Sequence, residues 1–132
     1  GRARQQMKRE SRSLRDQSQQ AVRALEEIGI AEVSPETKVG RLPIAQQQMV
    51  EIARAVAVQC RVLILDEPTS SLTLQDIEKL FALIRRLKAK GLAVVYISHF
   101  LEEVQAVSDR YTVLRDGRTV GGGATATATA AR

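Results

Sequence analysis

The stretch Arg61-Val62-Leu63-Ile64-Leu65-Asp66-Glu67-Pro68-Thr69-Ser70-Ser71-Leu72-Thr73 decides the fold. Its first half is a continuous apolar run, the pattern of a strand buried on both faces of a parallel sheet. Its second half turns polar at Asp66-Glu67 and is broken by Pro68 and a Ser/Thr cluster, which marks a turn. Downstream, Ile77, Leu80, Phe81, Ile84 and Leu87 recur at helical spacing. Thr73-x-x-Asp76 supplies a capping-box start for that helix and Gly91 its stop. Leu92-Ala93-Val94-Val95-Tyr96-Ile97 is a second apolar strand. Strand, helix and strand make a βαβ unit with parallel strands and a right-handed crossover. Open α/β sheets bind ligands at the carboxyl ends of their strands. Asp66-Glu67 and Ser98-His99, which follow the two strands, are therefore expected on one edge.

Outward from this unit, Ala21, Leu25 and Ile28 predict a helix around residues 17–28, closed by Gly29. Met49, Ile52, Ala53 and Val56 predict another over residues 46–58, and a short helix is expected over Leu101–Val107. Tyr111–Leu114 and Arg118–Val120 flank Asp116-Gly117, a hairpin signal. Residues 121–132, rich in Gly, Ala and Thr, lack a periodic apolar face and are expected to form a mobile tail.

The chain has 132 residues, within the range of one domain. It carries 20 Lys and Arg against 15 Asp and Glu, a net charge of +5. Six of the basic residues fall in the first twenty positions, where they read as a solvated helix face. Aromatic residues are 3% and Trp is absent, so the core is aliphatic and a base-stacking platform for single-stranded nucleic acid is disfavoured. No nucleic-acid partner is expected. A lone Cys60 excludes an internal disulfide and reads as an incidental thiol. No apolar run approaches the roughly 20 residues that span a bilayer. The chain does not begin with Met, and it reads as a piece of something longer.

Two adjacent carboxylates at the mouth of a buried strand repel and call for a cation or a water network. Mg²⁺ with a nucleotide phosphate is one solution: Asp66 holds the metal or its water, and Glu67 orients and deprotonates an attacking water. His99, from the neighbouring strand end, supplies a hydrogen-bond donor to the terminal phosphate. The plainer alternative is a polar turn before Pro68 and a structural histidine.

In order along the chain, these segments resemble an ABC-type ATPase. Val62 to Thr73 is similar to a Walker B strand followed by a D-loop, and Ile97-Ser98-His99 to the switch-histidine segment. Leu42-Pro43-Ile44-Ala45-Gln46-Gln47-Gln48 stands in the place of the LSGGQ signature, and Val113-Leu114-Arg115-Asp116-Gly117-Arg118 resembles a closing hairpin. The wording from Gln46 to Ala55 is particularly similar to monosaccharide-importer ATP-binding proteins of the ribose, galactose and xylose type, whose chains carry two tandem cassettes. The likeness covers roughly residues 15–120, and this chain resembles the later part of the first cassette.

The resemblance implies a P-loop NTPase-like parallel sheet, an α/β fold with part of a helical subdomain. Residues 1–41 correspond to the helical part, 42–120 to the ATPase core and 121–132 to the tail. It implies ATP and Mg²⁺ as cofactors, Asp66 as an aid to the metal, Glu67 as general base and His99 as sensor of the γ-phosphate. Pro43, Ile44, Ala45 and Gln46 would face an ATP held mainly by the opposite cassette. Ser70, Ser71, Leu72 and Thr73 would cross the dimer interface. The implied partners are a second cassette, transmembrane permease subunits and, indirectly, a periplasmic sugar-binding protein. The implied place is the cytoplasmic face of the membrane.

Two departures stand out. The signature has Pro43 where Ser is usual, removing a hydroxyl and a backbone N–H, and Ala45 where Gly is usual, adding a methyl group. No G-x-x-x-x-G-K-[ST] occurs anywhere, so the phosphate-cradling loop is missing. The chain alone is therefore expected not to hydrolyse ATP. A cassette with a structural, dimer-supporting role is the alternative. An ABC-type ATPase of DNA repair or chromosome organisation is disfavoured, because no sustained heptads precede Leu42.

Overall fold

Thr73 opens the helix that the apolar repeat from Ile77 to Leu87 requires. Its hydroxyl accepts the backbone N–H of Asp76 at 3.3 Å and donates to Asp76 Oδ2 at 2.9 Å, satisfying one of the orphan donors of the first turn. The structure, a computed structural model, describes residues 16–17, 19–20, 22–23, 25–26, 34 and 37–127. Within them, a 3₁₀ turn at Val39–Arg41 leads into α1 (Ile44–Ala57), β1 (Val62–Asp66), α2 (Leu74–Ala89), β2 (Ala93–Ile97) and α3 (Leu101–Val107). The antiparallel strands β3 (Arg110–Arg115) and β4 (Arg118–Ala124) follow, and then a 3₁₀ turn at Thr125–Thr127.

Both long helices end on the same motif. After α2, Gly91 takes φ +93°, its N–H bonds to the Lys88 carbonyl and that of Leu92 reaches back to Leu87 at 3.1 Å. After α1, the N–H of Gln59 bonds to Val56 and that of Cys60 to Ala55, with Gln59 at φ +56°. These paired bonds are the Schellman arrangement, which absorbs the last orphan carbonyls of a helix.

β1 and β2 are parallel neighbours in the register Val62↔Ala93 through Asp66↔Ile97, joined across α2. The βαβ unit thus forms as the sequence predicts. One expectation fails: β1 is buried on a single face. Leu63 and Leu65 are inside, whereas Val62 and Ile64 are 53% and 64% exposed. Leu63 and Leu65 join one core cluster with Met49, Ile52 and Ala53 of α1 and with Leu80, Phe81, Leu83, Ile84 and Leu87 of α2. Among the described residues no second layer lies on the other face.

Leu25, helical like its described neighbours between residues 16 and 26, is buried in the same cluster. Ala21, Ile28 and Gly29, the rest of the signal for that helix, lie outside the described residues. α1 starts at Ile44, two residues ahead of the expected boundary.

The hairpin turns at Asp116 and Gly117, both with positive φ, as a tight primed turn requires. Its second strand runs on to Ala124, where the composition predicts a tail from residue 121. Glycines permit this because pairing here needs close backbone approach rather than apolar side chains: a Cβ on Gly122 would lie 2.8 Å from the Tyr111 carbonyl oxygen. Thr125 is buried beyond it, its N–H bonded to the Asp109 carbonyl at 2.9 Å and its hydroxyl to that of Ser108 at 2.8 Å.

Candidate active site at the β1 and β2 strand ends

The register puts Asp66 opposite Ile97, so the two strands end level. The backbone then carries the ladder one step further: the N–H of Glu67 donates to the Ile97 carbonyl at 2.9 Å. Glu67 does so at φ +46°, in the left-handed region that non-glycine residues rarely enter. Pro68, fully buried, and Thr69, nearly so, anchor the chain directly after it. A residue held in this region by a buried neighbour is the kind of local strain that collects at functional sites.

Glu67 and His99 meet. His99 Nδ1 lies 2.9 Å from Glu67 Oε1, with the imidazole well exposed and the carboxylate about half as much. With Glu67 ionised, Nδ1 carries the proton and donates, because a carboxylate only accepts. The neutral imidazole then presents the lone pair of Nε2 outward, and only the imidazolium donates from both nitrogens. The His99 ring stacks obliquely on Phe100, with centroids 4.1 Å apart.

Beside this pair opens a cleft of about 590 Å³, lined by Thr69, Ser70, His99, Phe100, Ile77 and Glu103 among others. Its floor is organised by one carboxylate. Glu103 of α3 accepts from the Thr69 hydroxyl at 2.6 Å on Oε1, and from Tyr96 and Ser98 hydroxyls at 2.9 and 3.0 Å on Oε2. Ser98 in turn accepts the N–H of Phe100 at 3.0 Å. The Tyr96 phenol is pushed far above its ordinary range, first by burial and then by its bond to, and the charge of, Glu103. Tyr96, within the second apolar strand of the sequence, meets Phe81 edge-on at 6.1 Å, whereas nothing in the sequence pattern singles out Glu103. The only signal was its place in the first turn of a short helix, which says nothing about which strand it faces.

Asp66 stands exposed at the end of β1. Among the described residues no cluster of three or more His, Cys, Asp or Glu side chains forms a metal cage. One exposed carboxylate, Asp66, with Glu67 beside it, would suit a Mg²⁺ shared with a phosphate, since Mg²⁺ takes one or two carboxylates plus phosphate oxygens and water.

The signature-like segment stands apart. Pro43 is the N-cap of α1 and offers no side-chain cap. Ile44 is exposed, and Ala45 and Gln46 are half-buried. The first intrahelical bond runs from the Gln47 N–H to the Pro43 carbonyl, and the Gln47 amide donates to the Leu42 carbonyl at 2.9 Å. Among the described residues no hydrogen bond or ion pair joins 43–46 to Glu67 or His99. In the segment Ser70 to Thr73, Ser70 and Ser71 are exposed and Leu72 is half-buried, whereas the Thr73 hydroxyl is taken up in capping α2.

The sequence profile of the ABC transporter family matches residues 2–70, just over half of the chain. This chain belongs to the ABC transporter family. The ribose import ATP-binding protein RbsA 2 of Streptomyces coelicolor is 53% identical to this ABC family chain over 97 residues, covering 74% of it and 19% of the relative. The xylose import ATP-binding protein XylG of Moorella thermoacetica is 50% identical over 102 residues, covering 77% and 20%. The chain thus spans about a fifth of the length of the curated relatives it matches. Among solved structures, a nucleotide-free ATP-binding cassette from an ABC transporter superposes with a TM-score of 0.73 at 26% identity, over 80% of this chain and 42% of that one. The α/β cassette fold that the resemblance implies is therefore present in part.

Proposed function

We propose that the chain is part of the ATP-binding subunit of a sugar importer, in which binding and hydrolysis of MgATP are coupled to transport through permease subunits. The observation that carries this reading is the meeting of Glu67 and His99 at a strand edge level with Asp66. The import ATP-binding proteins it resembles support the sugar class. The cofactor would supply a phosphoanhydride and a cation that neutralises its charge. Asp66 would hold the cation or its water. Glu67 would orient a water and take its proton, work that contributes typically about 10²- to 10⁴-fold in rate. His99, as the imidazolium that keeps its Nδ1 bond to Glu67 and donates from Nε2, would mark the terminal phosphate. The N-terminus of α1 would offer its unpaired N–H groups and positive dipole end to a phosphate held across a cassette dimer, and Ser70 to Leu72 would lie at that interface. The permease would place the subunit on the cytoplasmic membrane face; no helix among the described residues is long and apolar enough to cross a membrane.

Isolated, the chain lacks the loop that cradles the β- and γ-phosphates. Calorimetric titration with MgATP should show no micromolar binding; such binding would overturn this part of the reading. In the complete subunit with its permease, Glu67→Gln should lower ATP turnover by at least about 100-fold, and unchanged turnover would remove Glu67 from the mechanism.

Pro43 favours a second reading, a cassette that dimerises but hydrolyses little, because the N-cap of α1 has no hydroxyl to give. Pro43→Ser with Ala45→Gly should raise turnover of the assembled ATPase. Unchanged turnover would count against a signature impaired at these positions.

A further inference from the structure

Thr69 follows Glu67 by two residues, and Ser98 immediately precedes His99. Both hydroxyls end on the same side chain, Glu103, together with that of Tyr96. We propose that Glu103 is the positioning residue of this site: by accepting three hydroxyls from the turn after β1, from β2 and from its end, it sets the distance between Glu67 and His99.

The chemistry favours a carboxylate in this place. An ionised acceptor makes hydrogen bonds about twice as strong as a neutral one, and two oxygens with four lone-pair sites take three donors without competition. The donors come from two segments, the turn after β1 and the end of β2, which Glu103 ties together beneath the Glu67–His99 pair. Thr69 belongs to the turn that holds Glu67 at positive φ. Ser98 receives the Phe100 N–H and so fixes the backbone on both sides of His99. Glu103 itself rides on α3, which begins two residues after His99. Without it, the Glu67–Ile97 backbone bond and the Glu67–His99 contact remain, but the turn and the strand end that aim the two side chains lose their common anchor. Glu103 touches neither side chain of the pair and acts through the two backbones.

The functional meaning rests on the ATPase reading of Glu67 and His99, whereas the test does not. His99 is the single histidine of the chain, so its ring nitrogens give one isolated pair of ¹⁵N signals. At a pH where the imidazole is shown by its own signals to be neutral, the wild-type chain should show the Nδ1–H tautomer in excess, held there by Glu67. Glu67→Gln should move the signals toward the average of both tautomers. Glu103→Ala should move them the same way with Glu67 intact, and the isosteric Glu103→Gln, which keeps the volume and one acceptor, should move them part of the way. Added to Glu67→Gln, Glu103→Ala should cause no further shift. A purely structural Glu103 would lower the unfolding temperature and leave the tautomer ratio alone. Wild-type signals in folded Glu103→Ala or Glu103→Gln, or no excess of the Nδ1–H form in the wild type, would overturn the proposal. Since neither nucleotide nor turnover enters, a failure here leaves the ATPase reading standing, and a failure of that reading leaves this result interpretable.

Discussion

α1 and α2 share one core and finish on the same Schellman hydrogen bonds, yet they begin in opposite ways. α2 opens on Thr73, whose side chain closes the first turn, while α1 opens on Pro43, which closes nothing. At the other end the contrast reverses in kind: α2 leaves through Gly91, whereas α1 forces Gln59 into the same left-handed conformation. α2 is thus built at both ends for its own stability. α1 draws its stability from its buried face and its C-terminal bonds, and no side chain caps its first turn.

The largest effect that tests this comparison lies in the shared core. Leu80→Ala on α2 and Ile52→Ala on α1 remove side chains that are 0% and 1% exposed, and each should destabilise by about 2–5 kcal/mol. Denaturant unfolding of the two variants measures it. An Ile52→Ala cost well below this range would show that α1 is not an equal part of the core.

The helix starts come next. Thr73→Ala should cost about 1 kcal/mol. Pro43→Ala should change stability much less, since Pro43 provides no side-chain cap. Equal losses at both positions would erase the contrast.

The helix ends give effects no larger than the Thr73 cap, and of opposite sign to each other. A Cβ on Gly91 meets nothing within 4 Å, so the cost of Gly91→Ala is conformational and should be about 1 kcal/mol. Gln59→Gly should recover about the same amount at φ +56°. Thermal melts of the two variants should shift in opposite directions, and shifts of the same sign would refute the assignment.

The candidate-site edge was legible in the sequence because it depends on order alone. Two apolar runs around one periodic helix bring Asp66, Glu67 and His99 to a common side whatever the packing details. The exposure of Val62 and Ile64 was illegible for a complementary reason: an unbroken apolar run reads identically whether one face or both are covered. The extension of β4 through residues 121–124 was hidden because glycines carry no apolar alternation, and their pairing rests on steric room. Glu103 was hidden because its three donors are set by how α3 lies against β2, a tertiary relation that no local spacing encodes.

The two sheets also differ in how far the chain must travel to close them. β3 meets β4 across the two residues Asp116 and Gly117, whereas β1 meets β2 only after the whole of α2. Hairpins close in about 1–10 μs, and pairings at long sequence separation meet a larger loop-closure cost first. Loop closure therefore favours the hairpin, while the edge that holds Glu67 and His99 carries the larger closure cost of spanning the whole of α2.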